Sequence, residues 1–189
     1  MSIKDLLSKE KKNRALLPFM VLVICILLFN EFIGTIAFVV GNSMYPTLIN
    51  GDVLIVKKIN CLVKNGDIVV IDTKQKSLLK DDAIVKRVIA TENQVVQINY
   101  DSNTIFVDGI QLEEKYINVE DDDPLKCNFD NRLKTYTVPE NSIFVLGDNR
   151  NASLDSRIDY IGMISKDDII GNVVLIIDLG KFIDSFTAV

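Results

Sequence analysis

Gly41-Asn42-Ser43-Met44-Tyr45-Pro46-Thr47-Leu48 follows directly on the one membrane-grade apolar segment of the chain. Pro46 fixes its own φ and biases Tyr45 toward extended backbone. Ser43 is therefore expected on a stiff, extended, partly apolar loop close to a bilayer surface. A hydroxyl held in that way is a candidate nucleophile, and it needs a base, an orienting group and a substrate.

At 189 residues the chain has room for one domain plus an appendage. Its net charge of −5 argues against a nucleic-acid partner, which would need a basic patch to release counterions. There is no histidine. That excludes a Ser-His-Asp triad, a Cys-His dyad and imidazole ligation of zinc, and neither a metal nor a cofactor is expected. The three cysteines form no CxxC pair. Cys25 reads as a small hydrophobe in the apolar run, and a Cys61–Cys127 disulfide is left open by the sequence.

Ahead of Ser43, the basic residues Lys9, Lys11, Lys12 and Arg14 precede an uncharged run from Ala15 to Phe29. At about 1.5 Å per residue that run spans ~22 Å, short of a ~30 Å hydrocarbon core. Asn30 and Glu31 interrupt it before apolar character resumes. A helix over roughly 15–35 with Glu31 near the outer headgroups satisfies both facts. The basic flank then makes 1–14 a cytoplasmic tail and puts 36–189 outside, as in a single-pass protein of the cell membrane. Two other readings are a cleavable signal peptide cut near Thr35-Ile36-Ala37, and a core helix of a soluble protein.

Beyond Ser43 the chain reads as short strands divided by Gly, Asn and Asp turns. Apolar runs at Val53–Val56, Ile68–Ile71, Ala83–Ala90, Val95–Ile98, Ile105–Val107 and Ile143–Leu146 predict strands. Ile169–Ile177 is too short to span a bilayer and is expected as a buried closing strand. The run Glu120-Asp121-Asp122-Asp123-Pro124 fits an exposed loop, because EF-hand spacing is missing. Ser8–Lys11 and Ser77–Lys80 match SxxK, but both lie in charged stretches without SDN or KTG partners, as chance matches would.

With imidazole absent, a lysine is the natural base for Ser43. In Ala83-Ile84-Val85-Lys86-Arg87-Val88-Ile89-Ala90, strand alternation puts Lys86 on one face with Ile84, Val88 and Ala90. An ammonium there should have a lowered pKa. The competing reading is a lysine that snorkels outward or pairs with an acid across the sheet. A second dense cluster, Gly147-Asp148-Asn149-Arg150-Asn151-Ala152-Ser153-Leu154-Asp155-Ser156-Arg157, ends a strand. It reads either as a turn with a surface Asp155–Arg157 pair or as the wall of a site in which Ser153 accepts a hydrogen bond from Lys86.

Four stretches in this order, after a membrane anchor, resemble the type I signal peptidases. They are Ser-Met-x-Pro-Thr-Leu at 43–48, Gly-Asp-Ile-Val-Val at 66–70, Lys-Arg-Val-Ile at 86–89, and Gly-Asp-Asn-Arg-x-x-Ser-x-Asp-Ser-Arg at 147–157. The resemblance implies a mainly β fold behind a single amino-terminal transmembrane helix, with a second β region inserted at about 92–140. It implies Ser43 as nucleophile, Lys86 as general base, Ser153 orienting the lysine, and Asp155 with Arg157 as a structural ion pair. The implied substrates are signal-peptide-bearing precursors cut after a small residue, at the surface of a lipid bilayer.

Val39, Val40, Gly41 and Met44 are the expected substrate contacts, the extended 39–41 segment pairing with peptide backbone as an added strand. Gly41 stands where some relatives place an oxyanion-hole serine, so that donor is not a side chain here. Lys-Arg-Val-Ile is followed by Ala90-Thr91-Glu92-Asn93 in place of the family's usual Gly-x-Pro-Gly-Asp turn. That departure alone favours a non-catalytic anchored β module that binds exported proteins. A self-cleaving Ser–Lys protease of the SOS-repressor type would require a partner domain where residues 1–40 offer only an anchor.

Overall fold

The computed structural model describes residues 18–28, 34–58, 62–74, 82–117 and 132–178. The basic flank, Glu31, Cys61, Cys127, both SxxK matches and the acidic run 120–124 lie outside them.

Residues 18–28 are helical with their apolar side chains exposed. Among the described residues no helix is long and apolar enough to cross a membrane. The helix expected over 15–35 stops short of its predicted end, because Gly34 and Thr35 open strand β1 (Gly34–Phe38). Their backbones pair with Lys57 and Val56 of β2 (Val53–Lys57), and that ladder prevails over the helical continuation.

A larger antiparallel sheet takes β1 and β2, then β3 (Ile68–Asp72), β4 (Ala83–Thr91), β9 (Ser142–Leu146), β10 (Ile164–Ser165) and β11 (Ile169–Ile177). Its order is β1-β2-β11-β3-β4-β9-β10. A smaller sheet takes β5 (Val95–Asn99), β6 (Thr104–Val107), β7 (Ile110–Gln111) and β8 (Leu133–Thr137), in the order β7-β6-β5-β8. Alternation explains the strands of the smaller sheet: Val96, Ile98, Ile105 and Val107 turn inward and are buried, with Gln97 and Phe106 between them only partly buried.

Three apolar clusters hold the two sheets. One joins the smaller sheet to the larger through Ile89, Ala90, Phe144 and Leu146. A second collects Val69, Ile71, Val88, Val145 and Ile164. The third packs Met44 and Leu48 of the Ser43 stretch onto Leu54, Val56 and Val70. Each such side chain contributes about 1.5–3 kcal/mol by leaving water, and with Val39 in the same cluster the Ser43 stretch is anchored on both sides of the serine.

The expected face of β4 holds for Ile84 and Val88, which both pack with the second cluster. It fails at Ala90. A bulge between Val88 and Ala90 sets an extra residue against β9, and both Ile89 and Ala90 then face the first cluster. Ile169–Ile177 is a strand but not a buried one, since Val174 and Leu175 are more than half exposed. On the face that Ile36 and Phe38 share with Ile55 and Leu175, Ile36, Phe38 and Leu175 are more than half exposed among the described residues. The departure after Ile89 forms an orderly turn: Gln94 N–H bonds Thr91 O, the Gln94 side chain accepts from Thr91 N–H, and Asn93 takes the left-handed conformation that asparagine tolerates.

Candidate active site

Ser43 does not sit on extended backbone. Residues 43–47 form successive turns, closed by Tyr45 N–H to Asn42 O (3.1 Å) and Leu48 N–H to Met44 O (2.9 Å). Burial of Met44 and Leu48 favours the compact path over the extended one that Pro46 suggests. Ser43 is thus presented on a knuckle that is pinned to the core by Met44 and Leu48 while Tyr45 and Pro46 stay exposed.

Lys86 comes from the middle of β4, opposite Val69 of β3, and is only 3% exposed. Its Nζ donates to Ser43 Oγ at 2.7 Å and to Val85 O at 3.0 Å. Loss of water around the amine lowers its pKa to about 8, against a smaller upward pull from Asp155 and Asp148. The outward-snorkelling reading of Lys86 is therefore set aside.

Ser153 lies beside Gly147 and the Ser43 carbonyl and does not bond to the lysine. Its Oγ is buried with no hydrogen-bond partner among the described residues, while Lys86 Nζ donates to Ser43 Oγ and Val85 O. Asp155 and Arg157 form a buried bidentate pair, Nε–Oδ1 2.7 Å and Nη2–Oδ2 2.9 Å, not a surface one. Asp155 Oδ2 also accepts from Gly147 N–H, and Arg157 Nη2 donates to Arg150 O. The pair thereby folds the 147–157 loop onto itself.

That loop reaches the knuckle directly. Asn149 N–H donates to Ser43 O at 3.0 Å. Gly147 has no space for a side chain, since a Cβ there would collide with Ser153 Oγ and the Ser43 carbonyl oxygen. Arg87 grips Asp148 through both Nε (2.8 Å) and Nη2 (2.6 Å), and Asp148 in turn accepts from Thr47 Oγ1. Arg150 is paired with Glu114. The sequence contained Arg87, Asp148 and Arg150 inside quoted motifs without giving them roles, and Glu114 carried no local signal, its partner being remote along the chain.

An open cleft of about 430 Å³ runs past the Ser43–Lys86 pair. Phe38–Met44 forms one wall, Ala83–Lys86 the other, and Ala152 and Leu154 close one side. Val39 is buried, its N–H and C=O bonded to Asp52 O and Gly51 N–H, and Gly41 N–H bonds the Asn50 side chain. Of the expected added strand, the Val40 N–H and C=O and the Gly41 C=O keep no backbone partners among the described residues. Across the cleft, β9 pairs with β4 only from Arg87 onward, so Ala83–Lys86 have no ladder on that edge.

A serine hydroxyl bonded to a desolvated amine beside an open groove has the parts of a serine peptidase that works without histidine. The family profile described as signal peptidase, peptidase S26, matches residues 12–177, and the chain belongs to that family. It is 33% identical over 172 residues to signal peptidase I T of Bacillus subtilis strain 168, covering 87% of this chain and 86% of that one. The same identity over 172 residues holds for a signal peptidase I of Bacillus licheniformis, covering 87% and 89%. A solved signal peptidase I from Enterococcus faecalis V583 is similar at 26% identity and a TM-score of 0.47, over 59% of this chain and 97% of that one.

Proposed function

We propose that Ser43 and Lys86 are the nucleophile and the general base of this serine endopeptidase, whose reaction is the removal of signal peptides from precursor proteins. The observation that carries the assignment is the 2.7 Å contact between Lys86 Nζ and Ser43 Oγ at a buried amine whose pKa is lowered to about 8. In the neutral form the amine takes the hydroxyl proton as Oγ adds to the scissile carbonyl. The oxyanion then meets the Ser43 N–H. The ammonium passes its proton to the departing amine, which releases the mature protein and leaves an ester on Ser43. The same amine then takes a proton from water as its oxygen attacks the ester, and returns that proton to Ser43 Oγ as the ester bond breaks and the signal peptide leaves.

The precursor would lie extended between Val40 and the unladdered Ala83–Lys86 edge, with main-chain hydrogen bonds supplying affinity. Met44, Ile84 and Val85 line the groove beside Ser43 and favour small apolar residues ahead of the cut. Ser153 and the Asp155–Arg157 pair support the dyad from behind.

A membrane anchor ahead of β1, with the amino terminus cytoplasmic and the peptidase domain outside, completes the reading. The exposed apolar face at Ile36, Phe38 and Leu175, just after the anchor, suits a lipid surface. A binding module is no longer favoured, since the turn that prompted it closes normally at Thr91–Gln94. The test is cleavage of a precursor with an Ala-x-Ala site in detergent micelles: Ser43→Ala and Lys86→Ala should both be inactive while folded. Turnover by either variant would remove that residue from the mechanism.

A further inference from the structure

The segment between β7 and residue 117 crosses from the smaller sheet to the back of the site. It is fixed at its start, where Leu112 packs on the first apolar cluster and its N–H bonds Ile105 O at 2.9 Å. Two residues later Glu114, 7% exposed, accepts both terminal nitrogens of Arg150, with Nη1 at 3.0 Å. Tyr116 donates its hydroxyl to the same carboxylate at 2.9 Å. The Tyr116 ring lies 3.9 Å from the Arg87 guanidinium carbon.

The two guanidiniums so braced grip consecutive residues. Arg150 Nε holds the Gly147 carbonyl at 3.0 Å, and Arg87 holds Asp148. The next residue, Asn149, holds the Ser43 carbonyl. Arg87 also follows Lys86 directly on β4. A strap from the smaller sheet therefore fixes, through two cations, the backbone on which nucleophile and base are mounted.

We infer that Glu114 and Tyr116 are positioning residues for peptide-bond cleavage, setting the Ser43 knuckle against Lys86 without touching substrate. The inference rests on the Ser43–Lys86 assignment above. Displacements well under 1 Å at a nucleophile slow its reaction, so removing the brace acts on turnover more than on binding. The cleft is lined by neither residue, which leaves substrate affinity to other groups.

The test uses the full chain in detergent micelles with an Ala-x-Ala precursor, reading kcat, KM and the melting midpoint. Glu114→Gln keeps the shape and strands the buried Arg150 charge; kcat should fall about tenfold with KM within about twofold. Glu114→Asp restores the charge and should recover kcat to within about threefold of wild type. Tyr116→Phe removes one hydroxyl from the carboxylate, and should lower kcat about threefold even if Glu114→Gln does not fold. Wild-type kcat in a folded Glu114→Gln or Tyr116→Phe would overturn the inference, and so would a rise in KM alone. Lys86→Ala runs alongside: turnover there would overturn the base assignment itself, separately from the strap.

Discussion

The amide of Asn149 donates to the carbonyl of Ser43 across 3.0 Å, tying the loop after β9 to the knuckle that presents the nucleophile. This contact needs the loop to approach more closely than side chains allow, and Gly147 supplies the clearance. Gly147→Ala would drive a methyl group into both Ser43 O and Ser153 Oγ. Overpacking of this kind costs about 1–3 kcal/mol, and the shift it forces falls on the reacting serine. The expected outcome is a folded enzyme with kcat/KM down about a hundredfold, measured on an Ala-x-Ala precursor. Wild-type turnover in Gly147→Ala would show that the loop and the knuckle move independently.

The pH dependence follows from Lys86. With its pKa lowered to about 8, the amine is mostly protonated at pH 7 and mostly free at pH 9. Only the free amine accepts the Ser43 proton, so kcat/KM should rise with pH and level off above the midpoint near 8. A profile flat from pH 6 to 10, assayed with the enzyme folded throughout, would exclude a titrating lysine from the rate-limiting step.

The same burial makes Lys86 a burden on stability. Its pKa is lower folded than unfolded, so from about pH 8 to 10.5 the unfolded chain binds more protons than the folded one. Stability therefore rises with pH across that window, and the full penalty, ~3 kcal/mol, applies below it. Lys86→Met should be inactive yet melt higher than wild type at pH 7, with the gap narrowing by pH 10. A lower melting temperature for Lys86→Met at pH 7 would contradict the desolvated amine.

The parts of the site legible in the sequence are those written locally. Alternation in Ala83–Ala90 turned Lys86 inward, and the absence of histidine narrowed the choice of base. The Asn-Gly-Asp turns marked strands β2 and β3. What escaped depends on tertiary contact. Pro46 pointed to extended backbone, but the burial of Met44 and Leu48 bent Ser43 into turns. The bulge at Val88–Ala90 arises from pairing with β9, which no periodicity within β4 reveals. Ile169–Ile177 looked buried because apolar runs usually are, yet Leu175 on its outer face is more than half exposed. Ser153 Oγ was expected to accept from Lys86, yet it is unpartnered among the described residues while Lys86 bonds Ser43 and Val85.

Asp155 offers a test in which stability and chemistry move separately. Its carboxylate is fully buried and accepts from Arg157 Nε, Arg157 Nη2 and Gly147 N–H. Asp155→Asn keeps the shape but leaves the Arg157 charge buried and uncompensated, at a cost of about 3–5 kcal/mol. The melting temperature should fall accordingly. The substitution also removes the larger of the two charges that raise the Lys86 pKa, leaving Asp148 as the remaining one. With Arg157 still cationic nearby, the amine should release its proton more readily, and the rise of kcat/KM should move to lower pH than in wild type. A purely structural role for Asp155 would reduce the amount of active enzyme without moving that midpoint. Measuring the pH profile of folded Asp155→Asn well below its melting temperature separates the two, and an unmoved midpoint would mean that Asp155 does not act on Lys86 through its charge.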